Sequence, residues 1–418
     1  MSPPQRHAAL AALKLPEIRY FLGSIAFFTL ANRAAIVVIG LQIYQITHSA
    51  LALGILGLVE AIPAISLSLY GGYVADRWDR RTILLATRSV SVLCGLLLAL
   101  ITFNLHAVHV SALYGVIFLA GIARGFADPA MTAFEAQVVP KHLTVNATSW
   151  IGSTWLSCSA IGPALVGFAY EAFGPGRTYL VIAAGFAMSW IFTCRIPAKP
   201  YPAIAKDESI FKSIKLGVKF VLKEQALVGS MALDLFAVLF GGAVALLPIF
   251  ATDILHVGAR GLGFLEAAPA LGALIVMLWS THHPPIRRAG RNLLLCVACF
   301  GFSIIVFAFS RNFALSLLAL FLSGVFDGVS MVIRRSILRL MSPEHMRGRV
   351  AAVNWIFIGA SNEIGAFESG LVAHWIGVIP CVWAGGVVTL LVVAVTALAA
   401  PRLRNLGFDP KNLDIKNN

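Results

Sequence analysis

The sequence predicts an all-α membrane protein in which twelve transmembrane helices form two pseudo-symmetric six-helix bundles. Three observations predict this class: an apolar composition, a series of long apolar runs, and an internal repeat. Of the 418 residues, 59% are apolar and 12% are charged, whereas soluble domains average roughly 45–50% and 25%. This composition excludes a water-soluble globule and a disordered chain.

Twelve apolar runs, interrupted by glycine, proline or charged residues, are each long enough to cross a bilayer, which takes about 20 residues. Their approximate starts are Tyr20, Ala50, Thr82, Val110, Ala147, Thr178, Ala226, Gly261, Asn292, Phe313, Arg349 and Val378. Only helices and closed barrels cross lipid, and these runs are too long and too little alternating for barrel strands. We therefore expect twelve helices.

The net charge of +13 would suggest a nucleic-acid partner in a soluble protein, but in a membrane protein it is expected to mark the cytosolic face. With a cytosolic amino terminus, Arg177, Arg260 and Arg311 fall in external loops, Arg33 and Arg124 lie within spans, and the other 27 basic residues fall on or near the cytosolic side. We expect both termini in the cytosol, a location in the cytoplasmic (inner) membrane, and no nucleic-acid partner. No cleaved signal peptide is expected.

The longest interruption between apolar runs extends from Ile196 to Glu224 and is Pro-rich at its start and basic thereafter. Four apolar residues fall near one helical face: Ile210, Ile214, Val218 and Val221. This pattern predicts a cytosolic linker with an amphipathic interfacial helix, which acts as a tether or, alternatively, senses lipid. The predicted domains are residues 1–197 (first bundle), 198–224 (linker) and 225–418 (second bundle and cytosolic tail).

The sequence lacks the signatures of several kinds of catalytic site. There is no phosphate-binding loop, no His-Glu-x-x-His and no Gly-x-Ser-x-Gly, and the six cysteines all lie in apolar runs, where cysteine acts as a small packing residue. We expect no enzymatic activity, no cofactor and no metal, so any energy that the protein uses would come from an ion gradient.

The chain repeats itself. Gly57-Leu-Val-Glu60-Ala-Ile-Pro63 matches Gly263-Phe-Leu-Glu266-Ala-Ala-Pro269, which lies 206 positions later. At a separation of 203, the residues Gly121, Gly125, Pro140, His142, Gly162, Gly167 and Gly174 match Gly324, Gly328, Pro343, His345, Gly365, Gly370 and Gly377. A duplicated six-helix unit preserves orientation, so we expect halves related by an axis along the membrane normal, with a pathway between them at mid-membrane.

The loop between the second and third spans, Gly72-Tyr-Val-Ala-Asp76-Arg77-Trp-Asp-Arg80-Arg81, resembles the major facilitator superfamily signature Gly-x-Leu-Ala-Asp-Arg-x-Gly-Arg-Arg/Lys. Val74 and Asp79 depart from it, and Asp79 puts the geometry of the turn in question. LLPIFATDIL, GLGFLEAAPALGAL and MSPEHMRGRVAAVNWIFIGASNEIGAFESG resemble one branch, the twelve-helix drug and siderophore exporters called the third drug:proton antiporter group. The resemblance covers nearly the whole chain.

The resemblance implies the major facilitator fold and a secondary active transporter that works by alternating access. It would export a small amphipathic molecule, drug-like or siderophore-like, in exchange for protons, while surrounded by membrane lipids and functioning as a monomer. Two alternatives stay open: a proton-coupled importer of a metabolite or sugar, and a non-transporting membrane receptor.

In the family, the loop after the second span latches the halves when the cytosolic side is closed. Glu135 is expected to pair with Arg77 or Arg80, and Asp76 with Arg347, Arg349 or the helix dipole of span eleven. The predicted cytosolic gate comprises Gly72, Asp76, Arg77, Arg80, Arg81, Glu135, Arg347 and Arg349. The alternative is that the basic residues only anchor the loop.

Span five carries Cys158-Ser-Ala-Ile-Gly162-Pro163-Ala-Leu-Val-Gly167, which resembles the superfamily's antiporter signature Gly-x-x-x-Gly-Pro-x-x-Gly-Gly. Small residues permit close helix approach and proline permits a bend. The signature implies outward transport. Ordinary close packing is the alternative.

Ionisable residues at membrane depth each cost about 2.5–3.5 kcal/mol to insert and therefore need a reason. A partly dehydrated carboxylate can exchange a proton near neutral pH, and Arg124 resembles the fourth-span arginine of proton antiporters. We expect an Arg33–Glu60 pair; structural salt bridges are the alternative role for each acid. The proton-coupling candidates are Glu60, Asp234, Asp327, Glu266, Arg124 and Asp128.

Aromatic and polar residues within the spans are candidates to line a substrate cavity, although each could instead pack against lipid or bond helices together. The candidates are Asn32, Arg33, Tyr44, Trp155, Phe236, Asn354, Asn362 and Glu363.

Overall fold

A computed structural model describes residues 10–103, 109–199, 210–241, 243–280, 285, 287–343 and 346–408. These residues form helices, turns and connections, with no β-strand among them. The α-helices are α1 (Pro16–Thr47), α2 (Ala50–Arg77), α3 (Arg80–Phe103), α4 (Val110–Val138), α5 (Thr144–Cys194), α6 (Ile210–Lys223), α7 (Gln225–Gly241), α8 (Leu247–Ile249), α9 (Gly258–Ser280), α10 (Ala289–Phe309), α11 (Phe313–Met341), α12 (Arg347–Ile376), α13 (Val378–Ala399) and α14 (Pro401–Arg404).

Ten helical stretches in the described part of the chain are long and apolar enough to cross a membrane. One of them, Lys141–Cys194, has 54 residues, more than twice the number that one crossing needs. It is divided at Gly174, where φ is 74° and ψ is 170°, and so supplies two crossings. With the 30-residue α12, which is not among those ten, the described helices supply the twelve predicted crossings, and the predicted all-α membrane fold is confirmed.

The connections between helices repeat along with the sequence. Gly377, between α12 and α13, has φ 91° and ψ 159°, matching Gly174 at the division of α5. Such positive φ angles are readily adopted only by glycine. His48 precedes α2 with φ 47°, and His256 lies shortly before α9 with φ 53°. The positive φ angle of the glycine and that of the histidine thus each recur at the corresponding connection in the other half of the chain.

The described chain groups into two compact units. Unit 1 consists of Met1–His48, Leu56–Ala205 and Val257–Ala267, and unit 2 consists of Ser49–Ile55, Lys206–His256 and Ala268–Asn418. The core of unit 1 includes Phe21 and Phe134, and that of unit 2 includes Leu227 and Ile333. The predicted domain boundaries, 1–197, 198–224 and 225–418, stay a prediction.

The same helix crossing occurs in each unit. In unit 1, a Cβ added at Gly121 on α4 would stand 2.5 Å from the Glu60 carbonyl oxygen on α2 and 2.7 Å from Pro63 Cγ. In unit 2, a Cβ at Gly324 on α11 would overlap the carbonyl oxygen of Pro269 on α9. Because small residues let membrane helices approach closely, the duplicated glycines and prolines set the spacing of α2 from α4 and of α9 from α11.

A buried polar network joins three helices of unit 1. Gln42 Nε2 on α1 donates to Thr102 Oγ1 on α3 at 3.0 Å, and the Tyr179 hydroxyl on α5 donates to Gln42 Oε1 at 2.7 Å. All three side chains are buried. Since lipid cannot satisfy polar groups, this network specifies how α1, α3 and the second half of α5 pack.

We predict that Gly121→Ala destabilises the purified protein by about 1–3 kcal/mol, because the added methyl group overpacks the crossing of α4 with α2. The matched control is Gly115→Ala on the same helix, where an added Cβ meets nothing within 4 Å. Thermal unfolding in detergent would measure both. Equal melting temperatures for the two variants would contradict the assigned crossing.

Candidate functional site

Three of the predicted coupling residues form one cluster in unit 1, the first triad. Arg124 Nη1 on α4 lies 2.9 Å from Glu60 Oε1 on α2, and Arg124 Nε lies 3.4 Å from Asp128 Oδ2, one helical turn along α4. Gly121 lets α4 approach the backbone of Glu60, and Arg124 follows Gly121 by about one turn. The close crossing therefore brings the Glu60 carboxylate within reach of the guanidinium.

A second cluster lies in unit 2, the second triad. Arg334 Nη1 on α11 forms an ion pair with Asp234 Oδ1 on α7, and Arg334 Nη2 lies 3.4 Å from Asp327 Oδ1, two turns earlier on α11. The side chains of Arg334 and Asp234 are only 11% and 12% exposed. The pair is therefore largely removed from solvent, where an unpaired charge is very costly.

Sequence reasoning missed Arg334. The charge pattern places Arg334 with the basic residues on or near the cytosolic side, but its side chain is buried within unit 2. One available signal was its spacing: Arg334 follows Asp327 by seven residues, which places two opposite charges on the same face of one helix, two turns apart.

The two triads share a composition. Each has one arginine on α4 or α11, which correspond in the repeat, one carboxylate on that same helix and one on a different helix. Each triad has one positive and two negative side chains, and in unit 2 the neighbouring Arg335 also interacts electrostatically with Asp327. A carboxylate that pairs with an arginine of another helix is a candidate proton-binding group.

The predicted Arg33–Glu60 pair is not formed, because Glu60 faces α4 and pairs with Arg124. The guanidinium of Arg33 lies 5.6 Å from the ring centroid of Trp155 and interacts electrostatically with Glu266, the remaining coupling candidate. These three residues all belong to unit 1. They combine a cation, an aromatic face and a carboxylate.

The other cavity candidates differ in how much of each side chain is exposed. Phe236, on α7, is half-exposed and stacks on Phe240 with centroids 6.3 Å apart. Tyr44 is buried, with its ring edge against His48, which favours a packing role. Asn362 is exposed, whereas Asn32, Asn354 and Glu363 are partly buried.

Asp79, the departure from the family's loop glycine, caps α3. Its carboxylate accepts hydrogen bonds from the backbone N–H groups of Arg81 and Thr82 at 3.2 and 3.3 Å and from Thr82 Oγ1 at 2.8 Å. Aspartate is a preferred residue at a helix amino terminus because it satisfies unpaired N–H groups there. The question that the sequence left about this turn is thereby answered.

Two arginines of the loop brace unit 1. Arg80 donates to the carbonyl oxygens of Ala75 and Ala133 at 3.1 and 3.2 Å. Arg81 Nη2 donates to the Cys194 carbonyl oxygen at 2.7 Å, at the end of α5, where a cation is favourable to the helix dipole. These contacts support the anchoring alternative for both arginines.

The remaining gate candidates are arranged differently from the expected pairs. Asp76 lies 3.7 Å from Arg80, and its side chain is 73% exposed. Among the described residues, Glu135 forms no ion pair with Arg77 or Arg80, since Arg80 bonds to carbonyl groups and Arg77 lies over the Tyr73 ring. A Cβ added at Gly72 would meet nothing within 4 Å. The side chains of Arg347 and Arg349 lie outside the described residues.

The antiporter-like segment of α5 packs closely within unit 1. An added Cβ would stand 2.9 Å from the Leu30 carbonyl oxygen at Gly162 and 2.6 Å from the Ala259 carbonyl oxygen at Gly167. The backbone stays helical through Pro163, since the non-helical residue of α5 is Gly174. The glycine spacing thus brings α5 against α1 and the first turn of α9.

From residue 8 to residue 414, the chain matches a family model described as transmembrane secretion effector, MFS_3. The chain belongs to the MFS_3 family. It is therefore a multi-pass membrane transporter of the major facilitator superfamily that carries a small-molecule substrate, and not an enzyme. The predicted resemblance to this superfamily, and to its drug and siderophore exporter group, is confirmed.

Curated relatives of this MFS_3 transporter include the enterobactin exporters EntS of Shigella boydii and Escherichia coli. Each is 28% identical over 318 residues, which cover 75% of either chain. Among solved structures, a peptide transporter POT in complex with alafosfalin superposes with a TM-score of 0.73 at 12% identity, covering 98% of this chain and 100% of the other. A bacterial homologue of the human lysosomal transporter Spinster gives 0.72 at 14% identity with the same coverage. These two structures share the fold.

We predict that Arg334→Gln destabilises the MFS_3 protein by about 3–5 kcal/mol, because it leaves Asp234 buried without its cation. Arg339→Gln on the same helix is the matched control, since its side chain is exposed and its substitution should cost less than about 1 kcal/mol. Thermal unfolding in detergent would compare them. A loss of stability no greater than that of the control would show that the second triad does not hold α7 to α11.

Proposed function

We propose that this MFS_3 transporter exports a small amphipathic molecule from the cytoplasm in exchange for protons. The proposal depends chiefly on the two triads, which place an arginine between two carboxylates in each unit. It includes alternating access, a monomer as the functional form, both termini in the cytosol, and a location in the bacterial inner membrane surrounded by lipid.

The chemistry of the triads supports proton exchange. Protonation of Glu60 weakens its attraction to Arg124 and leaves Asp128 as the guanidinium's only charged partner in the triad. Protonation of Asp234 similarly weakens the contact that joins α7 to α11. Because each of these ion pairs connects two helices, gain or loss of a proton changes the helix packing as well as the charge. A transporter can use that link to couple a proton gradient to conformational change.

Outward transport and the class of cargo are supported by separate observations. The relatives are enterobactin exporters, and α5 carries the antiporter-like Gly162-Pro163 segment. Arg33 beside Trp155, with Glu266 nearby, offers an aromatic surface and both signs of charge in unit 1. Such a surface suits an amphipathic molecule with polar groups around an apolar body. We therefore propose a drug-like or siderophore-like substrate, with enterobactin as the first probe.

The proposed gate centres on Asp76. Its exposed carboxylate is available for contacts that form in only one of the transporter's states, whereas Arg80 and Arg81 hold the loop in place within unit 1. In this proposal the two arginines position the loop and Asp76 acts as the latch.

In inverted membrane vesicles with an acidified lumen, we expect the wild-type protein to accumulate its substrate, starting with enterobactin. Glu60→Gln and Asp234→Asn should each reduce this proton-driven uptake at least tenfold, because the neutral amides cannot exchange a proton. Glu17→Gln is the control, since Glu17 pairs with Lys199 outside the triads. Uptake driven by lumen alkalinisation would indicate an importer, and full activity in both triad variants would reject the proposed coupling sites.

We expect Asp76→Asn to reduce transport at least fivefold while membrane insertion stays normal, because the latch loses its charge. Asp79→Asn is the matched control in the same loop, since asparagine also caps helices well. Vesicle uptake, normalised to the amount of inserted protein, would measure both variants. Unchanged transport in Asp76→Asn would remove Asp76 from the gate.

A further inference from the structure

Helix α6 lies immediately before a membrane-spanning helix. It runs from Ile210 to Lys223, and only Glu224 separates it from α7, which begins at Gln225. The Glu224 N–H donates to the Val221 carbonyl oxygen, and the Val228 N–H donates to the Glu224 carbonyl oxygen, both at 3.0 Å. This tight connection holds the carboxyl end of α6 at the end of a spanning helix, close to the membrane surface.

One face of α6 is docked onto unit 2. Val221 is 4% exposed and belongs to the core cluster that also contains Leu227 and Val353. Val218 and Phe220 are partly buried against the same cluster. The side chains of the predicted apolar residues Ile210 and Ile214 lie outside the described residues. The docked face fixes the helix in position, which a flexible tether would not require.

The opposite face combines cations with exposed leucines. Lys219 and Lys223 are exposed, and Leu216 and Leu222 are 41% and 67% exposed. Leu216, Lys219 and Leu222 follow one another at intervals of three residues, and Lys223 is one turn beyond Lys219, so these residues share one side of the helix. In the sequence, α6 carries four lysines and no acidic residue.

This combination indicates the chemistry of the partner. Exposed leucine side chains are unfavourable in water but favourable among acyl chains, and lysines beside them suit phosphate groups. An acidic protein would match the lysines, but the position of α6 at the end of a spanning helix places both residue types at the level of lipid headgroups. Basic segments beside spanning helices bind anionic lipid surfaces.

We propose that α6 binds anionic phospholipids through Lys219 and Lys223 while Leu216 and Leu222 insert among the acyl chains. The helix thereby fastens the amino terminus of α7, which carries Asp234 of the second triad, to the lipid surface. With the orientation proposed above, this surface is the cytosolic leaflet. The lipid site itself does not depend on the direction of transport or on proton coupling.

The test is a lipid-binding measurement on the full-length protein purified in detergent. The protein is mixed with equal amounts of phosphatidylglycerol and phosphatidylcholine, and the bound lipids are counted by native mass spectrometry. We expect the wild type to prefer phosphatidylglycerol at least threefold. Lys219→Gln/Lys223→Gln should reduce the preference to near one, whereas Lys219→Arg/Lys223→Arg should retain it.

The matched control is Lys141→Gln/Arg402→Gln, which removes two other exposed cations and should keep the wild-type preference. Thermal unfolding checks that each variant is folded. If the Lys219/Lys223 glutamine variant keeps the wild-type preference, or if the control loses as much, the proposal is wrong. Loss of binding to poly-glutamate with an unchanged lipid preference would also overturn it, in favour of an acidic protein partner.

Discussion

The cost of charge inside a membrane is the constraint on which the rest of this structure depends. An ionised side chain at the bilayer centre costs about 2.5–3.5 kcal/mol even on insertion scales, and charges within a spanning helix generally need partners, as Arg124 and Arg334 have. Their partners lie on α2 and α7 as well as on their own helices. In unit 1, that pairing needs α4 to approach α2 very closely, and glycine at position 121 permits it. The ion pair between Glu60 and Arg124 therefore depends on the glycine that permits the close helix crossing.

The duplication explains why similar clusters appear in both units without being copies. Gly121 and Gly324 correspond in the repeat, and both allow α4 or α11 to pack tightly on a proline-containing helix. Arg124, however, corresponds in the repeat to Asp327. The first unit has its cation three residues after the glycine, whereas the second has an anion there and its cation seven residues later. The charge composition is conserved between the halves while its order has changed.

The fold was largely predictable from the sequence, whereas the partners at the site were only partly so. Long apolar runs determine helices in lipid because no other open structure satisfies the backbone, and the repeat defines corresponding positions. Pairing depends instead on which face of a helix meets which neighbour. Depth alone suggested Arg33 for Glu60, but the crossing at Gly121 turns Glu60 towards Arg124. Arg334 was missed because basic residues near the end of a span usually anchor it at the surface.

Comparison with the family motif also could not predict which residue caps α3. Asp79 departs from the family's glycine, and only the structure identifies it as the cap of α3. Residues of the same loop differ in their surroundings. Arg80 and Arg81 bind backbone carbonyls within unit 1, whereas the Asp76 carboxylate is exposed. The loop is thus hydrogen-bonded at its base and has one exposed carboxylate.

The proposed transport cycle depends on proton exchange by the triads when substrate binds. The most direct measurement follows the pH of a weakly buffered solution of the purified transporter as a transported molecule is added. We expect substrate binding to release protons, and Glu60→Gln and Asp234→Asn to reduce this release. Tight substrate binding with no change in bound protons, in the wild type and in both variants, would contradict it.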